Sequence, residues 1–278
     1  MNEVRIFVGA DAVAAIPPGD RGTAYGDGLF ETMRTHRGEV PWWDAHWARL
    51  QQGAARLRMA LPDAVQVRRE AGHLLDDRPA VLKLIVTRGR DGRGYAPAGD
   101  AAPTWILSRH PLPPTPPPEG LALRWCNTRL AVQPALAGIK HCNRLEQVLA
   151  RGEWNDMTAT GRDAHEGLMF STEGDVVSAT AANLFVLRDG RWSTPPVDRC
   201  GVAGICRGWA IAALDATEVR LGVTDVETAD AVFLCNAVRG ILPVARLGTR
   251  RWSSHPQLIE LQRRLAAEHP AFEFQEVS

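Results

Sequence analysis

A chain of 278 residues, 45% hydrophobic and 23% charged, can bury one large core or two ordinary ones and has the composition of a soluble globular protein. Thirty-two basic residues balance thirty-two acidic ones, which argues against a nucleic acid or an anionic membrane as partner. Five scattered cysteines without a C-x-x-C pair suggest neither a disulfide framework nor a zinc site, and there is no leader-like or membrane-length apolar run, so the expected setting is the cytoplasm.

In chain order, RIFV, GLFETMRT and EVPWW read as strands, the last two arranged around a turn at Arg37-Gly38. Residues 44–58 read as a helix, with Asp44 as N-cap and Trp47, Leu50, Ala54 and Leu57 as its buried stripe. A second helix is expected from Asp63 to about Leu75, then strands in AVLKLIVTRG and TWILSRH. The prolines of HPLPPTPPPEG can neither continue a helix nor donate to a central strand, so residues 111–120 read as a linker. It would join a small α+β domain, 1–110, to a larger one, 121–278. In the latter, LALRWCN, GLMFST, DVVSA, NLFVLRDG and AVFLCN read as strands and 143–154, 205–215 and 256–268 as helices. Strands and helices mix without a repeating βαβ order, which places the fold in the α+β class.

Lys140 stands in AGIKHCNRLEQVLAR, 137–151, at the mouth of a helix whose Leu145, Val148 and Leu149 recur at i, i+3 and i+4. A lysine there is a solvated surface group, a point charge for an anion, or an amine that forms a Schiff base. In GVAGICR, 201–207, two glycines precede an apolar helix start, a setting for a plain turn or for backbone amides that hold a phosphate. GRDGRGY, 89–95, has no helix after it and is a poor dinucleotide fingerprint. Its arginines, with Arg88, form either a carboxylate-binding loop or a solvated basic one. H-E-x-x-H and G-x-S-x-G are both absent, which removes sequence support for metal-dependent or serine-nucleophile hydrolysis.

Together, DRGTAYGDGLFETMR at 20–34, AHWARL at 45–50, RDGRGYAP at 90–97, AGIKHCNRLEQVLAR, AANLF at 181–185 and GVAGICR resemble, in content and order, the fold-type IV pyridoxal-phosphate enzymes. These comprise the D-amino acid and branched-chain aminotransferases and the aminodeoxychorismate lyases. The K-H-x-N-R-L-E-Q-V-L run and the G-R-G-Y loop are most similar to the lyases, which release pyruvate to give 4-aminobenzoate for folate synthesis.

The resemblance implies a two-domain, D-amino acid aminotransferase-like fold. Lys140 would carry pyridoxal 5'-phosphate as a Schiff base and then move protons. Arg49, the helix-start residues Gly204, Ile205 and Cys206, and Asn236 with Ala237 would hold the phosphate. Arg88, Arg93 and Tyr95, with Arg144, would meet the substrate's carboxylates, Arg144 pairing alternatively with Glu146. A homodimer, whose pocket takes a loop from its partner, is also implied.

One position departs from the family pattern. Where most members carry a glutamate facing the pyridine nitrogen, this chain has Ser178, which Glu166 or Glu173 would have to replace if a carboxylate is needed. A neutral residue there disfavours a long-lived carbanion more than an elimination. The alternatives to a lyase are an aminotransferase of the same fold and a catalytically idle binding module.

Overall fold

The computed structural model describes residues 3–91, 94–97, 99, 101–155 and 164–273. The chain divides into two units, Met1–Leu112 with Ile139–Asn143, and Pro113–Gly138 with Arg144–Ser278. The segment carrying Lys140 therefore belongs to the first unit, whereas a single break in the proline-rich stretch would have left it in the second.

The first unit holds β1 (Val4–Val8), β2 (Asp11–Val13), α1 (Arg21–Tyr25), β3 (Gly28–Thr35), α2 (Trp43–Leu57), α3 (Ala64–Gly72), β4 (Ala80–Thr87) and β5 (Thr104–His110). Its antiparallel sheet has the order β2-β1-β5-β4-β3, which puts β3 at an edge. Strand alternation divides β3: Leu29, Glu31 and Met33 are buried, and Phe30, Thr32 and Arg34 on the other face are half-buried. In α2, Leu50, Gly53 and Ala54 are buried. A Cβ at Gly53 would come within 2.9 Å of Leu29 Cδ1, so the glycine permits a close approach of helix to strand.

The expected strand in EVPWW does not form. Arg37 and Gly38 take positive φ (50° and 75°) in a tight turn that pairs His36 with Glu39, and Trp42 at φ 60° then caps α2. Asp44 consequently lies inside the first turn, where its charge suits the helix dipole, while Trp47 and Leu57 are only half-buried. Asp63 does cap α3, its side chain accepting from Gln66 N–H.

An ion cluster closes one end of this unit. Arg88 donates from Nε to Asp27 (2.7 Å) and from its terminal nitrogens to Asp27, Leu57 O and Arg58 O. It thereby ties the last carbonyls of α2 to the end of β4. Arg21 also binds Asp27 and reaches the carbonyls of Gly94 and Tyr95.

The second unit holds β6 (Leu121–Leu130), α4 (Leu145–Asn155), β7 (Glu166–Ser171), β8 (Val176–Ala179), β9 (Asn183–Arg188), β10 (Arg191–Thr194), α5 (Ile205–Leu214), β11 (Thr217–Glu218), α6 (Val223–Glu227), β12 (Ala231–Asn236), β13 (Gly240–Leu247), β14 (Arg250–Arg251) and α7 (Pro256–Glu268). Its mixed sheet runs β11-β10-β9-β12-β13-β6-β7-β8, with β14 beside β13. β13 escaped the sequence reading because Pro243 interrupts it. The proline is tolerated because the ladder to β6 begins only at Val244, opposite Leu121.

The apolar stripe read in α4 points outward. Leu145, Val148 and Leu149 are 76%, 62% and 65% exposed, and it is Ala150 and Trp154 that enter the core. Among the described residues no helix is long and apolar enough to cross a membrane.

Candidate active site

In the first unit, the outer edge of β3 would present unpaired backbone groups to solvent, and the Ile139–Asn143 segment covers it. Phe30 N–H donates to Lys140 O (2.9 Å) and Cys142 N–H to Gly28 O (2.8 Å), with Leu29 bridged to His141. These bonds fix the Lys140 backbone to a sheet. Its side chain lies on the Phe30 face, with Nζ 4.4 Å from the ring centroid.

On the opposite face of β3, Glu31 is buried with two α2 side chains, His46 and Arg49. Arg49 grips the carboxylate side-on, through Nε to Oε1 (2.8 Å) and a terminal nitrogen to Oε2. His46 Nδ1 lies 2.6 Å from Oε2. Burial alone would raise the Glu31 pKa, but the hydrogen bonds from His46 and Arg49 outweigh it and hold the carboxyl below its ordinary value. Burial pushes the His46 pKa down, and the charges of Arg49 and Lys140 act in the same direction. A neutral His46 must carry its proton on Nδ1 to meet the carboxylate, and Arg49 is thereby oriented through Glu31.

In the second unit, α5 starts at Gly204, an extended N-cap, with no side chain capping its amides. The turn before it is pinned by Gly138 N–H to Gly201 O (3.0 Å), Ala203 N–H to Gly138 O (2.9 Å) and Asn183 Nδ2 to Val202 O (2.9 Å). A Cβ on Gly204 would stand 2.1 Å from Asn183 Oδ1, so this close packing requires glycine. An ordered, uncapped start to a ten-residue helix is a setting for an anion. Asn236 serves its own turn: its Oδ1 accepts from Val238 and Arg239 N–H, and its Nδ2 donates to Ala181 O. Ala237 follows it, half-buried.

Ser178 is buried in β8 opposite Met169. Glu166, of the same strand parity as Leu168, lies on the other face from Met169 and Ser178, and its carboxylate accepts from Thr180 Oγ1 and Gly167 N–H. Glu173 pairs with Arg199. Neither glutamate takes the position that Ser178 leaves without a carboxylate.

Arg88 is 8% exposed and bonded to Asp27 and to the carbonyls of Leu57 and Arg58. Tyr95 is 86% exposed, its ring 5.5 Å from that of Tyr25, and Arg93 lies outside the described residues. Arg144 precedes α4 rather than lying one turn inside it, and Glu146 accepts from Ala131 N–H. Sequence reasoning missed Glu31 and His46. The available signal was a carboxylate on the buried parity of β3, between Leu29 and Met33.

The profile of the Amino-transferase class IV family matches residues 28–247. The chain belongs to that family. It is 35% identical over 244 residues to the aminodeoxychorismate lyase of Vibrio harveyi, covering 83% of this chain and 86% of that protein. It is 30% identical to a putative branched-chain-amino-acid aminotransferase of Methanocaldococcus jannaschii, over 83% of this chain and 82% of the relative. Among solved structures, the 4-amino-4-deoxychorismate lyase of Pseudomonas aeruginosa superposes with a TM-score of 0.86 and 39% identity, over 95% of this chain and 99% of that one. Branched-chain aminotransferase from Escherichia coli, at 18% identity and a TM-score of 0.80, shares the α+β fold.

Glu31→Gln is expected to cost about 3 kcal/mol at pH 7, because Arg49 then loses its buried counter-charge. The folded-state pKa of Glu31 is depressed, so its contribution is present above the ordinary 4.5 and lost as pH falls through the folded value. Urea unfolding across pH should show the gap between the two proteins closing at low pH. A pH-independent gap would contradict this assignment.

Proposed function

We propose that the protein is an aminodeoxychorismate lyase that uses pyridoxal 5'-phosphate to cleave a carbon–oxygen bond in 4-amino-4-deoxychorismate, yielding pyruvate and 4-aminobenzoate. The observation that carries this reading is the amine of Lys140, held by the edge of a sheet in a chain 35–39% identical to two such lyases. The residues suit the cofactor. Lys140 would supply an amine for its aldehyde, Phe30 an apolar ring beside that amine, and Arg49 a cation for the phosphate. In the second unit, taken by itself, the uncapped amides at Ile205 and Cys206 are donors suited to a phosphate.

The cofactor, when bound, supplies an electron-withdrawing ring conjugated to the substrate's nitrogen. Lys140 would accept at Nζ the proton of the amine-bearing ring carbon. The electron pair left behind forms a ring double bond as the adjacent ether bond breaks, and enolpyruvate leaves with that bond's electrons. Aromatisation of the six-membered ring makes the step irreversible. Ser178 suits this course, since a hydroxyl cannot balance a pyridinium charge and the elimination does not store the electron pair.

The test is pyruvate release from 4-amino-4-deoxychorismate with no α-keto acid present, measured beside transamination of D-alanine and of branched-chain amino acids. The lyase reading expects acceptor-independent pyruvate. Ser178→Glu should raise any transamination more than lyase turnover. Turnover that requires an acceptor would favour an aminotransferase, and equal effects of Ser178→Glu on both reactions would sink the role given to the serine.

A homodimer is part of the same proposal. The outward stripe of Leu145, Val148 and Leu149 supports it, since three adjacent large apolar side chains on one helix face are costly to leave in water. Leu149→Asp should sediment as a monomer where the unaltered chain sediments as a dimer. A dimer unaffected by the aspartate would remove this face from the interface.

A further inference from the structure

In the second unit, Asn183 opens β9 as the polar member of a buried row. It lies cross-strand from Cys235 of β12, and strand alternation puts Phe185, Phe233 and Trp192, packed ring to ring, on the same face. Its side chain turns to the start of α5. Nδ2 donates to Val202 O (2.9 Å), and a Cβ on Gly204 would come within 2.1 Å of Oδ1. Gly204 has φ −65° and ψ 142°, dihedrals open to any residue, so glycine is required there by this contact and not by the backbone.

Gly204 is the N-cap of α5, the position where Ser, Thr, Asp or Asn ordinarily turns a side-chain oxygen onto the first amides. Asn183 excludes all four, because any Cβ there collides with a buried amide that is itself hydrogen-bonded. The N–H groups of Ile205 and Cys206 accordingly have no hydrogen-bond partner among the described residues, and the first bond of the helix runs from Gly208 N–H to Gly204 O (3.0 Å). A capping oxygen and an anion from solution compete for the same donors, so a helix start that holds one cannot hold the other.

Resting on the reading above, in which these amides take a phosphate, we propose that Asn183 is a positioning residue that reserves them for it. It does so in two ways: its Nδ2 holds the turn at Val202, and its Oδ1 keeps the N-cap free of a competing side chain. Asn183 acts through the helix start and not on the reacting atoms. Its effect therefore falls on the preference for a phosphorylated ligand over the same ligand without its phosphate.

The experiment titrates the full chain, Asn183→Ala and the double variant Asn183→Ala with Gly204→Asp, each with pyridoxal 5'-phosphate and with pyridoxal, followed by visible absorbance. A hydrogen bond to a charged group is worth roughly a tenfold to hundredfold change in affinity, so Asn183→Ala should lower the preference for the phosphorylated form at least about tenfold, with pyridoxal affinity changed less than about threefold. In the double variant the aspartate has room to cap α5. The preference should then fall at least about tenfold further, while the thermal midpoint rises above that of Asn183→Ala. This added cap supports the helix start, which keeps the test open if Asn183→Ala alone fails to fold. Equal losses for the two ligands, an undiminished preference in Asn183→Ala, or a double variant that keeps the preference of the single one would each overturn the assignment. An unaltered protein with no preference for the phosphorylated form would overturn the functional reading itself and this proposal with it.

Discussion

The pairing of the Ile139–Asn143 segment with the edge of β3 is the constraint on which the rest depends. An edge strand needs its outward N–H and C=O groups satisfied, and here the partner is five residues that interrupt the chain's course through the second unit. The bonds at Phe30 and Gly28 set the phase of the segment, so that Lys140 and Phe30 share a face. A one-residue slip would turn the lysine to the opposite side. The face on which the amine lies is thus a consequence of strand register.

The same register gives β3 two functions on two faces. Glu31 points into the buried side, where it neutralises Arg49 and is held by His46. Phe30 and Thr32 point to the other side, toward the Lys140 and Lys83 amines. A buried carboxylate shared between a guanidinium and an imidazole is costly to assemble and costly to break, which makes it a rigid support for the Arg49 cation. Ionic clusters divide in the same way between structural and chemical use. Arg88 resembles a substrate residue in sequence, yet Asp27 and the end of α2 use nearly all of its donors.

Much of this was legible in the sequence, for identifiable reasons. Strands such as TWILSRH and AVFLCN announced themselves as short, largely buried apolar runs, and the helix at 256–268 because one face of it is buried. The motif run around Lys140 carried the family. What failed was any inference that needs a neighbour: the outward turn of Leu145, Val148 and Leu149, the commitment of Arg88 to α2, and the Glu31–His46–Arg49 cluster, whose members are distant in sequence or split between strand and helix. Pro243 hid β13 because the point at which its ladder to β6 begins cannot be read from one strand alone.

The central claim is that Lys140 is the cofactor's anchor. The direct measurement is the visible spectrum of the purified protein with pyridoxal 5'-phosphate, before and after borohydride, followed by peptide mapping. The account predicts an absorption band abolished by reduction and a pyridoxyl group on Lys140. No band with added cofactor, or a label on Lys83, the other lysine of the chain, would contradict it.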